Sequence, residues 1–377
     1  MRYITSAIQL DLLKKMVFIG GPRQVGKTTL ARHLLTATGQ GRYFNWDYDD
    51  DRQALLQKRW SDDDTLLIFD ELHKFPRWKA WVKGLYDVAH ERHRILVTGS
   101  ARLDVYRQGG DSLLGRYHYW RLHPFTLDEI PAGIDQGEAF QRLMTVGGFP
   151  EPFLVNDPRE GRRWRKERFD RVLQEDIRDL ESIKNIQQLR LFLDLLRTRV
   201  GGMVVLSNLA GDIQVAPQTA KAWLEALERM YVLFRVLPYS QNLSRAIIKP
   251  PKVYFFDNAD TSDEQGPRFE NLVATTLLKR LHYLEDFGGH RCELRYIRDK
   301  EGREVDFVIL KDGVLEELVE VKYGDEALSP ALRYYNERLH PRRATQIVAT
   351  LERPYDRDGI RVTNPFRYFA ENAPWAG

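Results

Sequence analysis

The sequence predicts an α/β protein in three parts. Residues 1–145 should form a parallel-sheet domain, residues 146–240 a helical, winged-helix-like middle, and residues 241–377 a mixed α/β domain. Three observations carry this reading. In the first part short apolar runs alternate with helical stretches, the pattern of a sheet covered on both faces. From about residue 150 to residue 237, apolar residues recur at helical spacing. Beyond about residue 250, strand and helix patterns mix again.

Bulk properties set limits. A chain of 377 residues suits two or three domains of roughly 100–200 residues each. Lys and Arg number 57 against 54 Asp and Glu, so the net charge is only +3. That balance does not argue for nucleic acid, and any basic binding face must be local. The single cysteine, Cys292, excludes an internal disulfide framework and a Cys-rich zinc site. No run approaches the roughly 20 apolar residues of a membrane span. The opening residues lack the apolar core and cleavage site of a signal peptide. The expectation is a cytoplasmic protein with no membrane contact.

In chain order, strands are expected at residues 16–19, 42–47, 65–69 and 94–98, with helices over 27–35 and 78–90. His90 and His93 read as solvated residues of that second helix, and Trp78 and Trp81 as packing anchors. In the middle, residues 159–171 are basic with two aromatics, Trp164 and Phe169. A helix follows over 186–199. Residues 206–210, a turn at Gly211 and residues 216–230 read as helix, turn, helix, and residues 232–237 as a strand serving as a wing. In the last part, strands are expected over 253–257, 293–297, 303–310, 314–323 and 346–350, with helices over 268–281 and 330–339. Residues 260–266 read as a flexible loop.

One motif is specific. Gly21, Pro22, Arg23, Gln24, Val25, Gly26, Lys27 and Thr28 match G-x-x-x-x-G-K-[ST] in full, between an apolar strand and a helix. Its backbone N–H groups, with Thr29 opening the helix, would face a phosphate, and the helix N-terminus adds positive potential. Lys27 would neutralise the β and γ phosphates, and Thr28 would bind Mg²⁺. The apolar run ending in Asp70-Glu71 would bring Asp70 to Mg²⁺ and Glu71 to the attacking water. Thr98 and Ser100 end the next strand and are candidates for sensing the γ-phosphate. Arg116 is a candidate cation for the transferred phosphoryl group, within the chain or across a subunit interface.

The segments GGPRQVGKTT, LLIFDELHKFPRWKAWVKGLYD, ILVTGSARLD and SLLGRYHYWRLHPFTLDEI together resemble a bacterial and archaeal family of AAA+-type ATPases. That family carries a C-terminal domain of unknown function. The resemblance spans nearly the whole chain and implies a P-loop NTPase fold with ATP and Mg²⁺ as cofactors. Residues 147–150 are similar to the GxP motif of the related STAND ATPases, which implies that Pro150 lies near the nucleotide base.

Two further patterns bear on partners. In the helix-turn-helix, Pro217 suits the first helical turn, and Gln218, Thr219 and Lys221 fall near the N-terminal end of a recognition helix. The basic run at 159–171 adds to a DNA-contacting reading. Helices that only pack an interface explain the same pattern. In the last part, Glu304-Val-Asp306 precedes Glu320-Val-Lys322, with Glu270 upstream on a helix. This resembles the PD-(D/E)XK pattern and implies a restriction-endonuclease-like fold. Glu270, Asp306 and Glu320 would offer hard oxygen ligands for Mg²⁺, and Lys322 would orient or deprotonate water. A two-residue turn at Asp312-Gly313 pairs Asp306 with Val319. A three-residue loop or one bulge pairs it with Glu320. The sequence leaves both open.

Two functions follow as expectations. In one, ATP binding and hydrolysis control a DNA-acting, nucleolytic C-terminal domain. In the other, nucleotide state switches binding of a protein partner and the acids are silent. Oligomerisation is compatible with either.

Overall fold

The computed structural model describes residues 1–99, 113–173, 185–240 and 249–375. The chain divides into two compact units, one of Met1–His123 with Arg229–Tyr231, the other of Pro124–Glu228 with Val232–Gly377.

The first unit is built on a five-stranded sheet. Helix α1 (Thr5–Asp11) leads to β1 (Met16–Gly20), then α2 (Lys27–Thr38), β2 (Gly41–Asn45) and α3 (Asp49–Leu56). Strand β3 (Leu66–Asp70), α4 (Trp78–Ala89), β4 (Arg94–Thr98) and β5 (Tyr117–Arg121) complete it. The strand order is β2-β3-β4-β1-β5, and every neighbouring pair is parallel. Strands β1 and β3 are buried at every position, which is why they read as unbroken apolar runs. Trp78, Val82 and Leu85 form the buried stripe of α4, and Trp78 meets Phe18 of β1 at 5.8 Å between ring centroids. Trp78 is thus the anchor its sequence suggests. His93 departs from expectation. It lies past the helix, buried, with Nδ1 2.6 Å from the Asp64 carbonyl oxygen, while His90 is exposed.

The second unit begins with helices. These are α5 (Gln136–Thr145), α6 (Pro150–Val155), α7 (Pro158–Arg171), α8 (Ile186–Arg197), α9 (Leu206–Asp212) and α10 (Pro217–Arg229). Asp135, Asp157 and Asn185 cap α5, α7 and α8 by accepting bonds from backbone N–H groups of the first turn. The helix-turn-helix is present as α9 and α10, with Gln218 and Lys221 exposed and Thr219 half-buried. The strand after it, β6 (Leu233–Pro238), pairs antiparallel with β7 (Lys252–Phe255) and parallel with β8 (Cys292–Arg298), inside a large sheet. Trp164 is buried, with its ring 5.1 Å from that of Phe149, because α7 needs an apolar stripe to pack.

The large sheet has eight strands in the order β12-β13-β11-β10-β9-β8-β6-β7. Besides β6–β8 it contains β9 (Glu304–Lys311), β10 (Val314–Lys322), β11 (Arg343–Val348), β12 (Tyr355–Arg357) and β13 (Ile360–Thr363). Helices α11 (Gln265–Gly288), α12 (Pro330–Leu339) and α13 (Pro365–Glu371) accompany it. The expected loop over 260–266 is short, since a 3₁₀ turn holds Asn258–Asp260 and α11 starts at Gln265.

The β9–β10 hairpin combines the two alternatives left open. A two-residue turn pairs Lys311 with Val314 and Leu310 with Leu315. One bulge between Leu315 and Glu317 then shifts the register, so Phe307 pairs with Val319. Continued by one residue, that register sets Asp306 opposite Glu320.

Candidate nucleotide site and acidic cluster

The loop between β1 and α2 is shaped by its backbone. Gly21, Gln24 and Gly26 have φ of 131°, 61° and 96°. A Cβ at Gly21 would fall 2.4 Å from the Leu122 carbonyl oxygen, so only glycine fits there. The left-handed turns set up a concave run of N–H groups, an anion-binding nest. The Lys27 ammonium, largely buried, donates to the carbonyl oxygens of Gly21 at 3.0 Å and Pro22 at 2.6 Å. It already lies inside the loop that a phosphate would enter.

Asp70 closes the site from β3. Thr28 Oγ1 donates to Asp70 Oδ2 at 2.7 Å, so the residue after the loop lysine and the strand-end acid meet. Tyr43 Oη donates to the same oxygen at 2.7 Å, and Thr98 Oγ1 donates to Oδ1. Thr98 therefore orients Asp70 in this arrangement. Tyr43 was not evident from sequence, because nothing marks one tyrosine of a half-buried edge strand. A hydroxyl and a carboxylate converging in this way are hard oxygen donors of the kind Mg²⁺ takes beside phosphates, so the residues fit the metal.

Glu71 follows in a left-handed conformation, φ 56°, and its N–H donates to the Thr98 carbonyl oxygen at 3.0 Å. Such a backbone costs a non-glycine residue on the order of 1 kcal/mol and is held by its surroundings. Burial raises the Glu71 carboxyl above its ordinary range, opposed by the Lys27 and Lys74 ammonium groups. Lys74 Nζ stands 3.4 Å from Glu71 Oε2.

In the second unit the predicted acids do gather, but around a lysine that sequence reasoning missed. Lys252, 1% exposed, places Nζ 2.6 Å from Glu304 Oε1, 3.3 Å from Asp306 Oδ1 and 3.4 Å from Glu270 Oε1. Tyr254 Oη donates to Glu270 Oε1 at 2.6 Å. Asp306 Oδ2 accepts the Val321 N–H at 2.9 Å. Across the bulged hairpin, Lys322 Nζ pairs with Glu320 Oε1 at 2.8 Å. Glu320 Oε2 is buried without a well-formed hydrogen bond, although Ser329 is near enough to favour its charged form. Burial and the Asp306 charge push Glu320 up to about 8 and Glu270 up to about 7. Lys252, Glu304 and Tyr254 were legible only as strand alternation, which sets Lys252 with Tyr254 and Glu304 with Asp306 on common faces.

This arrangement does not fit a divalent metal at Glu270, Asp306 and Glu320. An ammonium already stands against two of these acids. Among the described residues, no three His, Cys, Asp or Glu side chains converge to hold a metal ion.

Comparison with known proteins separates the regions. Residues 13–131 match the model of an AAA domain family. Residues 13–131 are thus similar to AAA-type P-loop domains. Residues 137–259 and 265–368 match two domain families of unknown function. An uncharacterised protein of Mycobacterium tuberculosis is 27% identical over 244 residues, covering 64% of this chain and 54% of the relative. The chain thus spans about half the length of that mycobacterial protein. An uncharacterised protein of Methanocaldococcus jannaschii is 24% identical over 357 residues, covering 85% of this chain and 78% of its own. Among solved structures, the Thermotoga maritima RuvB Holliday junction branch migration motor overlaps with a TM-score of 0.32 at 16% identity, over 62% of this chain and 88% of that one. A Walker-type ATPase of Pyrococcus abyssi gives 0.41 at 14%, over 61% and 89%. The assignment of the AAA-type domain rests on its family match, sheet order and loop, not on these overlaps.

Of the remaining predicted residues, Arg116 falls outside the phosphate site. Arg116 lies beside Met16, at the end of the AAA-type sheet opposite the loop, and its guanidinium pairs with Asp87 at 2.7 Å. About four residues at ~3.3 Å each separate that end of β1 from the loop, too far for a role within the same chain. Ser100 lies outside the described residues. Pro150 opens α6 in the second unit, where a Cβ at Gly147 would fall 1.9 Å from Asp257 Oδ1. Close packing on Asp257 is thus a sufficient reason for that glycine. Among the described residues, no helix is long and apolar enough to cross a membrane.

Proposed function

We propose that the chain binds and hydrolyses ATP in its AAA-type domain and uses nucleotide state to govern its second unit. The observation carrying this reading is the Thr28–Asp70 hydrogen bond of 2.7 Å beneath a complete phosphate loop. Bound Mg²⁺ would spread the negative charge of the phosphates. The protein's part is positional. Lys27 turns from the loop carbonyls to the phosphates. Thr28 and Asp70 hold the metal, with Asp70 oriented by Tyr43 and Thr98. Glu71 orients water and takes its proton, a task suited to a carboxylate raised by burial.

Two outputs are compatible with this motor: a nucleic-acid-acting C-terminal domain that cleaves, or a switch that engages a protein partner. The Lys252 ammonium among the acids favours a silent nuclease-like core and hence the switch. Lys27→Ala should cost on the order of 100-fold or more in ATP turnover, measured by phosphate release. Glu71→Gln should slow turnover 10²- to 10⁴-fold, of the order general-base loss produces, while sparing ATP binding. Turnover unchanged in Lys27→Ala would remove this loop from the mechanism. Incubation of the whole chain with single- and double-stranded DNA and RNA in Mg²⁺ or Mn²⁺ separates the outputs. Cleavage lost in Asp306→Ala and Lys322→Ala would restore the nucleolytic reading.

A further inference from the structure

The second unit contains a cleft of about 480 Å³ walled by α7, α8 and the turn at Asn258–Asp260. That volume lies within the roughly 300–1,000 Å³ of small-ligand sites. Its walls carry five cations, Arg162, Arg165, Lys166, Arg190 and Arg197, against three acids. The acids are engaged. Asp170 pairs with Arg190, and Asp194 and Asp260 pair with Arg197 at 2.8 and 2.9 Å. The other three cations belong to α7. Arg162 and Lys166 are exposed with no acidic partner among the described residues, while Arg165 reaches the Val146 carbonyl oxygen at 3.5 Å and its charge acts on the buried Asp257. They lie three and four residues apart, so they share one helix face with Phe169 a turn further on.

Arg197 borders the same space, with its terminal nitrogens paired to Asp194 and Asp260. Phe169 offers a ring, with the Arg197 guanidinium 5.8 Å from its centroid. Arginine favours planar, bidentate phosphate contacts, and an aromatic ring beside it suits a stacked base.

We propose that this cleft binds phosphoryl groups, either of a nucleic-acid strand or of a free phosphorylated small molecule, at a site separate from the phosphate loop. Arg162, Arg165 and Lys166 supply the charge, and Phe169 supplies a stacking surface. The cleft stands independently of the ATPase reading, because none of its residues belongs to the loop domain.

The test uses the full chain and the double variant Arg162→Ala/Lys166→Ala, both surface positions, with circular dichroism to verify folding. Labelled oligothymidylate and inorganic pyrophosphate are titrated with saturating ADP present, and Lys27→Ala is run alongside. The expected result is roughly a tenfold or larger loss of affinity for at least one phosphate probe in the double variant, with ATP turnover unchanged. For the strand, the slope of log affinity against log salt should become shallower by about 1.4, from roughly 0.7 per lost contact. Strand binding alone, or pyrophosphate binding alone, identifies the source of the phosphoryl group, and either supports the site. Unchanged affinity for both probes, losses that follow Lys27→Ala alone, or equal binding of polyglutamate overturns it. Because Lys27→Ala and the double variant report separately, failure of the cleft and failure of the loop are distinguished.

Discussion

Asp257 illustrates how one buried group sets a pH dependence. It is fully buried, its Oδ2 has no hydrogen-bond partner among the described residues, and burial with the Asp260 charge pushes it up to about 7, opposed by Arg165 and Arg168. An unfolded aspartate titrates near ~3.9, so between about 4 and 7 the folded chain holds a proton that the unfolded chain has released. The stability from this group is complete below about 4 and is lost as pH rises through 7. Thermal melts from pH 5 to 8 should therefore fall for the native chain, and Asp257→Asn should flatten that fall. An equally steep decline in Asp257→Asn would refute this assignment. At Gly21 the constraint is steric. Gly21→Ala sets a Cβ 2.4 Å from a carbonyl oxygen at φ 131°, and should cost about 1–3 kcal/mol in denaturant unfolding together with ATP affinity.

At the scale of elements, the β9–β10 hairpin and β7 together build the acidic cluster. The bulge at Glu316 turns Asp306 and Glu320 to one face, and β7 inserts Lys252 against Glu270, Glu304 and Asp306. Removing one partner of a buried ion network leaves the others uncompensated, so Lys252→Ala should destabilise by about 3–5 kcal/mol in equilibrium unfolding. Lys252→Met with Glu304→Gln should recover part of that loss by removing a stranded charge. The sequence showed the acids and their alternation, which are local. It did not show the lysine, because β7 and β9 are about fifty residues apart and meet only through the sheet.

At the scale of the molecule, occupancy of the phosphate loop should be visible as stability. A ligand that binds only the folded state stabilises by about 2.7 kcal/mol at a hundredfold excess over its dissociation constant. ATP should raise the unfolding temperature of the native chain, and Lys27→Ala should abolish that shift. A shift retained in Lys27→Ala would show ATP binding elsewhere. The five-stranded parallel sheet sets Thr28 and Asp70 in contact by inserting β4 between β1 and β3, so Thr98 reaches Asp70 from the middle strand.

By itself the sequence determined the phosphate loop, the strand-end acids and the alternation of strands and helices, because each depends on neighbours within a few residues and on the periodicity of burial. Only tertiary structure decided the rest. It gave β6 to the large sheet, buried Trp164, moved Arg116 to the end of the sheet away from the loop, and seated Lys252 among the C-terminal acids. It also aligned Arg162, Arg165 and Lys166 over a cleft that α8 and a distant turn complete. These outcomes depend on which strands pair and which helix faces are covered. Residues far apart in the chain settle both through packing and charge, which no local pattern records.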